Sequence, residues 1–372
     1  MFYSFILSPG VASEDILSVL KILISKNYFT EQDYNRAIKR HKFSGHESSD
    51  RPELIDVTKQ KLKGKALSIN CHLRNIGFFF SYLDPKPEMF SEECLLLIQK
   101  LHAIVEIIMA PSLRTYEIDY FEEEIVSYLN LRQKLKTEFD CVSRPKPKTH
   151  YLSHYPEATR LYGPMINVWT ARYEAKHRIA KMLSNSAKNF LNISKTLAVR
   201  QQFRQASMMY SGLYETEEVL LPSKGIKMKE DLVDCDTASI FGQIKYFMDE
   251  TSTLSDEIKY RGQCYKVEDI VVLKAIHRNH LKVGVIQAII FKKDDVFFLV
   301  SKYEAFRHEL RYFEASATDE ELGSSSFVLA ENLADYKPLI KHGTSRRFRF
   351  VIHHHISVDC SANNFDIDPS TL

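Results

Sequence analysis

Two histidines, His150 and His154, have the H-x-x-x-H spacing that brings two imidazoles to one face of a helix, an arrangement that zinc sites use. Cys141 or His177 could supply a third ligand. The glutamate that follows the first histidine in helical metalloproteases is absent, because position 151 is a tyrosine. The same spacing also suits histidines that only contact neighbouring helices. His150 and His154 are therefore metal candidates, and no resident metal is predicted.

Charge indicates a second kind of chemistry, the binding of polyanions. The stretch from Cys141 to Arg204 holds twelve Lys and Arg against two acids and carries +10, whereas the whole chain carries +2, which leaves −8 for the remainder. Such segregation suits DNA or an acidic partner. The alternative is that these charges are spread over several helices as an ordinary solvated face. The candidate DNA contacts, which alternate with aromatic residues, are Lys146, Lys148, Arg172, Lys176, Lys181, Arg200 and Arg204.

The same stretch carries a dense pattern of motifs. They read K-x-H-Y-L-x-H-Y-P, Y-G-P, W-x-x-R-Y-E-A-K-H and K-N-F-x-N-I-x-K-T-L-A-x-R-Q, and they occupy Lys148–Pro156, Tyr162–Pro164, Trp169–His177 and Lys188–Gln201. This order resembles the C-terminal part of transposase-derived proteins that are widespread in animal genomes and look like distant relatives of the CACTA-type cut-and-paste transposases of plants. The match covers about 60 residues densely and is looser from Gly10 to Thr30. The chain is accordingly expected to be the C-terminal piece of such a protein.

The resemblance implies a role for Glu174. Transposases with an RNase H-like fold hold two Mg²⁺ ions with three acids, and the third is usually a glutamate on a late helix beyond a helical insertion. Glu174 is the candidate relic of that acid, and residues 13–140 would be the insertion. The alternative is a surface pair with Arg178 at i,i+4. Because one acid cannot hold two metals, we predict no enzymatic activity and no cofactor, with Mg²⁺ required only by an intact ancestral enzyme.

Composition limits the class of protein. A hydrophobic content of 44% and a charged content of 26% are those of a soluble globular chain. The six cysteines form no C-x-x-C pair, which argues against a disulfide framework and for a nuclear or cytoplasmic location rather than secretion. The sequence contains no run of about 18 apolar residues, so neither a membrane span nor a membrane partner is predicted. With 12 glycines, the sequence holds no G-x-S-x-G, G-x-G-x-x-G or phosphate-binding Gly-rich loop.

Hydrophobic periodicity predicts the elements that must position these residues. Helices are expected from Ser13, as a cap, to about residue 28, from Thr30 to Arg40, and at 66–83, 94–109, 116–138, 149–161, 171–182 and 194–205. After them, apolar runs rich in Val, Ile, Phe and Tyr predict strands at 264–267, 270–276, 283–291, 296–303, 310–313 and 348–353. The fold class is therefore α+β, with a helical N-terminal half followed by a small antiparallel β-barrel or sandwich.

Composition and motifs together predict five regions. Residues 1–144 form a helical, insertion-like domain and residues 145–210, which we call the signature segment, pack on it as basic helices. Residues 211–257 are a linker, 258–358 a β-rich domain and 359–372 a disordered tail. The predicted function is a catalytically incomplete, transposase-derived protein with non-specific DNA binding through residues 145–204 and protein contacts through the β-domain. The alternative is an interaction or structural module, or a transposon relic, with no nucleic-acid role.

Overall fold

The N-terminal half is built from helices. The computed structural model describes residues 10–43, 45–83, 87–90, 92–168, 171–187, 191–211, 219–220, 242, 244, 246–248, 252–292, 295–316, 325–344 and 346–358. Its α-helices of five residues or more are α1 (Val11–Ser25), α2 (Glu31–Arg40), α3 (Ala66–Ser81), α4 (Glu93–Ile108), α5 (Thr115–Glu138), α6 (Pro147–Tyr151), α7 (Tyr155–Tyr162), α8 (Ala171–Ala187) and α9 (Ile193–Tyr210).

Helix ends follow local chemistry. Helix α2 starts after Thr30, as predicted, and the structure adds a capping box there: the Thr30 hydroxyl accepts from the Asp33 N–H and the Asp33 carboxylate accepts from the Thr30 N–H. Ser13 is not the cap of α1: the helix begins one turn earlier, after Gly10, and the Ser13 hydroxyl donates to the Gly10 carbonyl at 2.9 Å. The earlier start buries Val11 and Ala12 in the core. Burial therefore decided where this helix begins.

The C-terminal half is a curled antiparallel sheet that forms a half-barrel, and the predicted α+β class is confirmed. Strand order in the large sheet is β10-β5-β6-β7-β8-β12-β11, with β2 beside β6 and β9 beside β7, while β1, β3 and β4 form a small second sheet. The strands are β1 (Val219–Leu220), β2 (Thr253–Ser255), β3 (Glu257–Tyr260), β4 (Gln263–Lys266), β5 (Ile270–His277), β6 (His280–Lys292), β7 (Asp295–Arg307), β8 (Phe313–Ser316), β9 (Ser325–Leu329), β10 (Asp335–Leu339), β11 (His342–Gly343) and β12 (Arg347–Phe350).

The long β6–β7 hairpin is the centre of this sheet. Its register shifts between Ile286 and Ala288, where one strand carries an extra residue. Such a bulge bends the hairpin and increases its twist, which curls the sheet. Apolar side chains are buried on both faces, with Phe313 and Phe348 in one cluster and Ile258 and Phe298 in another. Burial of both faces explains why these strands read as continuous apolar runs.

The turn between β7 and β8 inserts into the helical half. Leu310 and Tyr312 belong to the same hydrophobic core as α1, α3, α4 and α5, and the Tyr312 ring stacks on Phe78 with centroids 5.2 Å apart. The strand predicted at 310–313 is wrong, since β8 begins only at Phe313. Leu310 and Tyr312 are apolar because they fill the core of the other half. The backbone of the turn passes so close to α3 that a Cβ on Gly77 would lie 2.1 Å from the Leu310 carbonyl oxygen.

A buried ion cluster joins the two halves beside this turn. Both Glu106 carboxylate oxygens, on α4, accept from Nη1 of Arg307 at 3.0 and 2.9 Å, and Arg311 Nη2 adds a contact of 2.5 Å. Burial alone would raise the pKa of Glu106, but the two guanidinium groups lower it to about 2. Glu106 is therefore a buried anion whose charge depends on partners from the β-domain.

Three consecutive histidines make a second link between the halves. His353 lies 2.5 Å from Arg74, His354 lies 3.3 Å from Asp335, and His355 lies 2.9 Å from Glu117. They follow β12, which ends at Phe350, and their rings point to three different partners. Burial would raise the pKa of Glu117, but the hydrogen bond from His355 and a backbone N–H lower it to about 2. His353 and His355 therefore link the sheet to helices of the other half, whereas His354 lies against Asp335 of β10 in its own half.

Candidate nucleic-acid interface

The first part of the signature segment packs on the helical half and its cations pair there. It runs through α6, a 3-10 turn from Leu152 to His154, and α7. Lys146 Nζ lies 2.5 Å from a Glu14 oxygen on α1. Arg160 Nη2 contacts two carboxylates of α5, those of Asp119 and Glu122, both at 2.7 Å. Lys146 and Arg160 are therefore each neutralised by acids of other helices.

Lys148 also belongs to this packed part. It is half-buried and has interaction partners of its own. Thr149 and Tyr155 in the same part are buried, and Tyr155 belongs to the hydrophobic core of the helical half. Of the predicted DNA contacts, Lys146 is therefore held by Glu14 of α1, and Lys148 is half-buried with interactions of its own.

The second part of the segment consists of α8 and α9, which contact each other. None of the side chains of α9 is buried, and the described side chains of α8 are half-buried or exposed. The side chains of Arg172, Glu174 and Lys176 lie outside the described part of the structure, although α8 includes their backbone, and Trp169 lies outside it altogether. The relic role of Glu174 therefore stays a prediction.

The described cations of this helix pair are exposed and have no acidic partner within the described ranges. This set comprises Arg178, Lys181, Lys195, Arg200 and Arg204. Arg200 and Arg204 are four residues apart on α9 and so lie on one face. Arg178 and Lys195 belong to the twelve basic residues of the stretch but not to the DNA contacts that the sequence predicts, and their exposure in the structure adds them to the set. Lys146 and Arg160, which are paired with acids of other helices, thus differ from the described cations of α8 and α9, for which the described residues supply no acidic partner.

Apolar side chains accompany these cations on α9. Val199, Phe203 and Tyr210 are 40%, 73% and 97% exposed. Their spacing of four and seven residues places them along one stripe of the helix. Exposed aromatic rings beside guanidinium groups can stack on bases or enter a protein contact, so this stripe is compatible with two kinds of partner.

The histidine pair has the predicted geometry. His150 Nε2 and His154 Nε2 are 3.2 Å apart, and both side chains are exposed. A tetrahedral zinc site needs three or four ligands. In the part of the chain that the structure describes, no group of three His, Cys, Asp or Glu side chains could hold a metal ion. The two rings contact each other across one helical turn.

Comparisons with known proteins returned nothing similar: no family model, no curated protein and no solved structure matches this chain. The resemblance to transposase-derived proteins consequently rests on the motifs of the sequence. Among the described helices, none combines the length and the apolar character needed to cross a membrane.

Proposed function

We propose that this chain binds DNA without sequence preference through α8 and α9. The observation that carries the proposal is the contrast within one basic segment. Lys146 and Arg160 are each held by carboxylates of other helices, whereas Lys181, Arg200 and Arg204 stand exposed with no acidic partner among the described residues. Unpaired cations are the ones that can replace the counterions of a DNA backbone.

The expected contacts are to phosphates. Lys and Arg side chains that meet the backbone provide affinity and position but do not read sequence. Each phosphate contact contributes about −0.9 to the slope of log K against log salt concentration. Binding by this helix pair should therefore be steep in salt and nearly indifferent to the base sequence of the duplex.

Changing Lys181, Arg200 and Arg204 together to Gln is expected to flatten that salt slope by about 2 to 3, because about 0.9 is lost with each contact. The measurement is fluorescence anisotropy of a labelled duplex across a salt series with the purified full-length chain. The side chains are exposed, so the variant should fold as the unchanged protein does.

The matched control changes Lys59, Lys134 and Lys266 to Gln. These lysines are 53%, 53% and 58% exposed, and each is paired with a nearby carboxylate. The control alters the net charge by the same amount, and its salt slope should stay that of the unchanged protein. Equal slopes for the two variants, or no binding at low salt by a folded sample, would contradict the proposal.

We further propose that the chain alone does not cleave DNA. A two-metal mechanism needs several carboxylates around the ions, and the resemblance supplies only Glu174. Incubation with supercoiled plasmid and Mg²⁺ or Mn²⁺ is expected to leave the plasmid intact. Nicking that appears with the metal and disappears in Glu174→Gln would show that an active centre is present after all.

A protein partner is the second candidate function, and the apolar stripe of α9 favours it. Phe203 and Tyr210 are exposed to a degree that is unusual for aromatic side chains of a monomer. An acidic partner with an apolar groove would fit both the stripe and the cations beside it. The large sheet adds a second surface for protein contacts, because β10 and β11 are its edge strands.

A further inference from the structure

A pocket of about 250 Å³ lies at the interface between the two halves, far from the signature segment in sequence. Its floor is α4 and α5, which contribute Glu106 and Tyr120. Its walls are the β5–β6 turn, with Arg278, and the end of β7 with the turn that follows, which contributes Arg307 and Arg311. The volume is just under the roughly 300–1,000 Å³ of sites for drug-sized ligands, so it suits a small molecule.

Positive charge predominates in this pocket. Three guanidinium groups face it, against the single carboxylate of Glu106. Glu117 and Glu124, on α5, are already paired, Glu117 with His355 at 2.9 Å and Glu124 with Lys100 at 2.8 Å. Burial, together with the adjacent Arg311, lowers the pKa of Arg307 to about 10, a shift expected where positive charge is only partly compensated.

Arg278 is the cation that the fold itself does not use for pairing. Its guanidinium carbon lies 3.7 Å from the centroid of the Tyr120 ring, and its side chain has no carboxylate partner among the described residues. Stacking on an aromatic ring fixes the plane of the guanidinium and leaves its N–H donors directed around the ring edge. Glu106, Arg307 and Arg311 form the ion pairs that join the halves, whereas Arg278 contributes its ring contact with Tyr120.

Donors of the other two arginines also remain unused. Arg307 Nε is buried and has no hydrogen-bond partner within the described ranges. Arg311 donates through Nη2 and Nε, to Glu106 and to His102, and its Nη1 has no partner among the described residues. A buried guanidinium with an orphan donor costs free energy unless a ligand or water accepts from it.

The two turns are built to hold these arginines in place. Arg311 has φ +70°, in the left-handed region that few non-glycine residues adopt. Its N–H donates to the His308 carbonyl at 2.9 Å, and the Asn279 carbonyl accepts from Arg307 N–H at 2.9 Å, which ties the β5–β6 turn to the end of β7. Strained backbone that is fixed by its surroundings is common where side chains must be presented to a ligand.

We propose that this pocket binds the phosphate group of a small phosphate monoester. Planar guanidinium forks match phosphate oxygens with paired N–H donors, and a doubly charged phosphate would neutralise the excess charge that Glu106 leaves. Arg278 and Arg311 would grip the phosphate from the two turns, and Tyr120 would border the remainder of the ligand. The site is independent of the DNA-binding helices.

The test is isothermal titration calorimetry of the full-length chain with inorganic phosphate and with ribose 5-phosphate, with succinate as a doubly charged carboxylate for comparison. Both phosphate probes are expected to bind with Kd on the order of 1 mM or tighter, and succinate at least tenfold more weakly. Equal affinities for the two phosphate probes assign the site to the phosphate alone, and a tighter ester extends it to the attached group.

Arg278→Gln is expected to weaken phosphate binding about tenfold or more, because it removes charge-assisted hydrogen bonds, while its unfolding midpoint falls only slightly, because one ring contact with Tyr120 is lost. The matched control is Arg261→Gln, since Arg261 also lies over a tyrosine ring, at 5.1 Å from the Tyr260 centroid, in an exposed turn. The triple variant of Lys181, Arg200 and Arg204 should bind phosphate normally. Failure of both phosphate probes to bind below about 10 mM, equal binding of succinate, or full affinity in Arg278→Gln would each overturn the proposal.

Discussion

Glu106→Gln is expected to lower the free energy of unfolding by about 3–5 kcal/mol, the usual cost of removing one partner from a buried ion pair. The substitution keeps the shape of the side chain but leaves Arg307 and Arg311 without their counter-charge. Their side chains are 6% and 19% exposed, so water cannot fully replace the lost carboxylate. Chemical denaturation of the purified chain at neutral pH measures the change.

The matched control is the same substitution at the surface, Glu122→Gln. Glu122 contacts Arg160 at 2.7 Å, as close as the buried contacts, but the two side chains are 53% and 40% exposed. Exposed pairs contribute about 0–1 kcal/mol. A loss below about 1 kcal/mol in both variants would mean that the cluster at Glu106 is well solvated and does not hold the halves together.

Gly77→Ala is expected to destabilise the protein by about 2 kcal/mol or more, although alanine is favoured over glycine inside a helix by about 1 kcal/mol. The reason is the 2.1 Å separation between a Cβ at this position and the Leu310 carbonyl oxygen, which is backbone and cannot rotate away. Either α3 or the β7–β8 turn must shift, and the shift should disturb the packing of Tyr312 on Phe78. Chemical denaturation gives the sign of the effect.

Substitution of a second glycine, Gly262, tests the effect of backbone strain without any close contact. Gly262→Ala places its Cβ in open space but at φ +77°, so its cost should be limited to about 1 kcal/mol of left-handed strain. NMR chemical shifts in the β7–β8 turn should move in Gly77→Ala and stay in place in Gly262→Ala. Stabilisation by Gly77→Ala, as helix propensity alone predicts, would show that the two halves are less tightly apposed.

Sequence patterns predicted the elements well where local chemistry decides them. The Thr30–Asp33 capping box fixed the start of α2, and the apolar period placed α3, α4 and α5 within two residues of their observed ends. Patterns failed where distant contacts decide. The apolar character of Leu310 and Tyr312 predicted a strand, but these side chains are apolar because they are buried in the core of the helical half. No local period distinguishes these two causes of hydrophobicity.

The candidate sites show the same division. Sequence clustering found the basic segment but could not tell that Lys146 and Arg160 are paired, since their acidic partners Glu14 and Asp119 are 132 and 41 positions away. The sequence did not reveal the pocket between the halves, because the residues that line it come from four separate elements. One signal was present: Glu106 interrupts the apolar run Ile104, Val105, Ile107 and Ile108, and a lone acid in a buried helix requires a partner.

The attachment of the β7–β8 turn also determines the order in which this protein can be completed during synthesis. Glu106 and Arg311 are 205 positions apart in the chain. At roughly 5–20 residues per second, a ribosome needs about 10–40 s to make the intervening chain. During that time the Glu106 carboxylate on α4 lacks its arginine partners, and the apolar side chains that later contact Leu310 stay uncovered. The core of the N-terminal half therefore stays incomplete until Leu310 and Tyr312 have been synthesised.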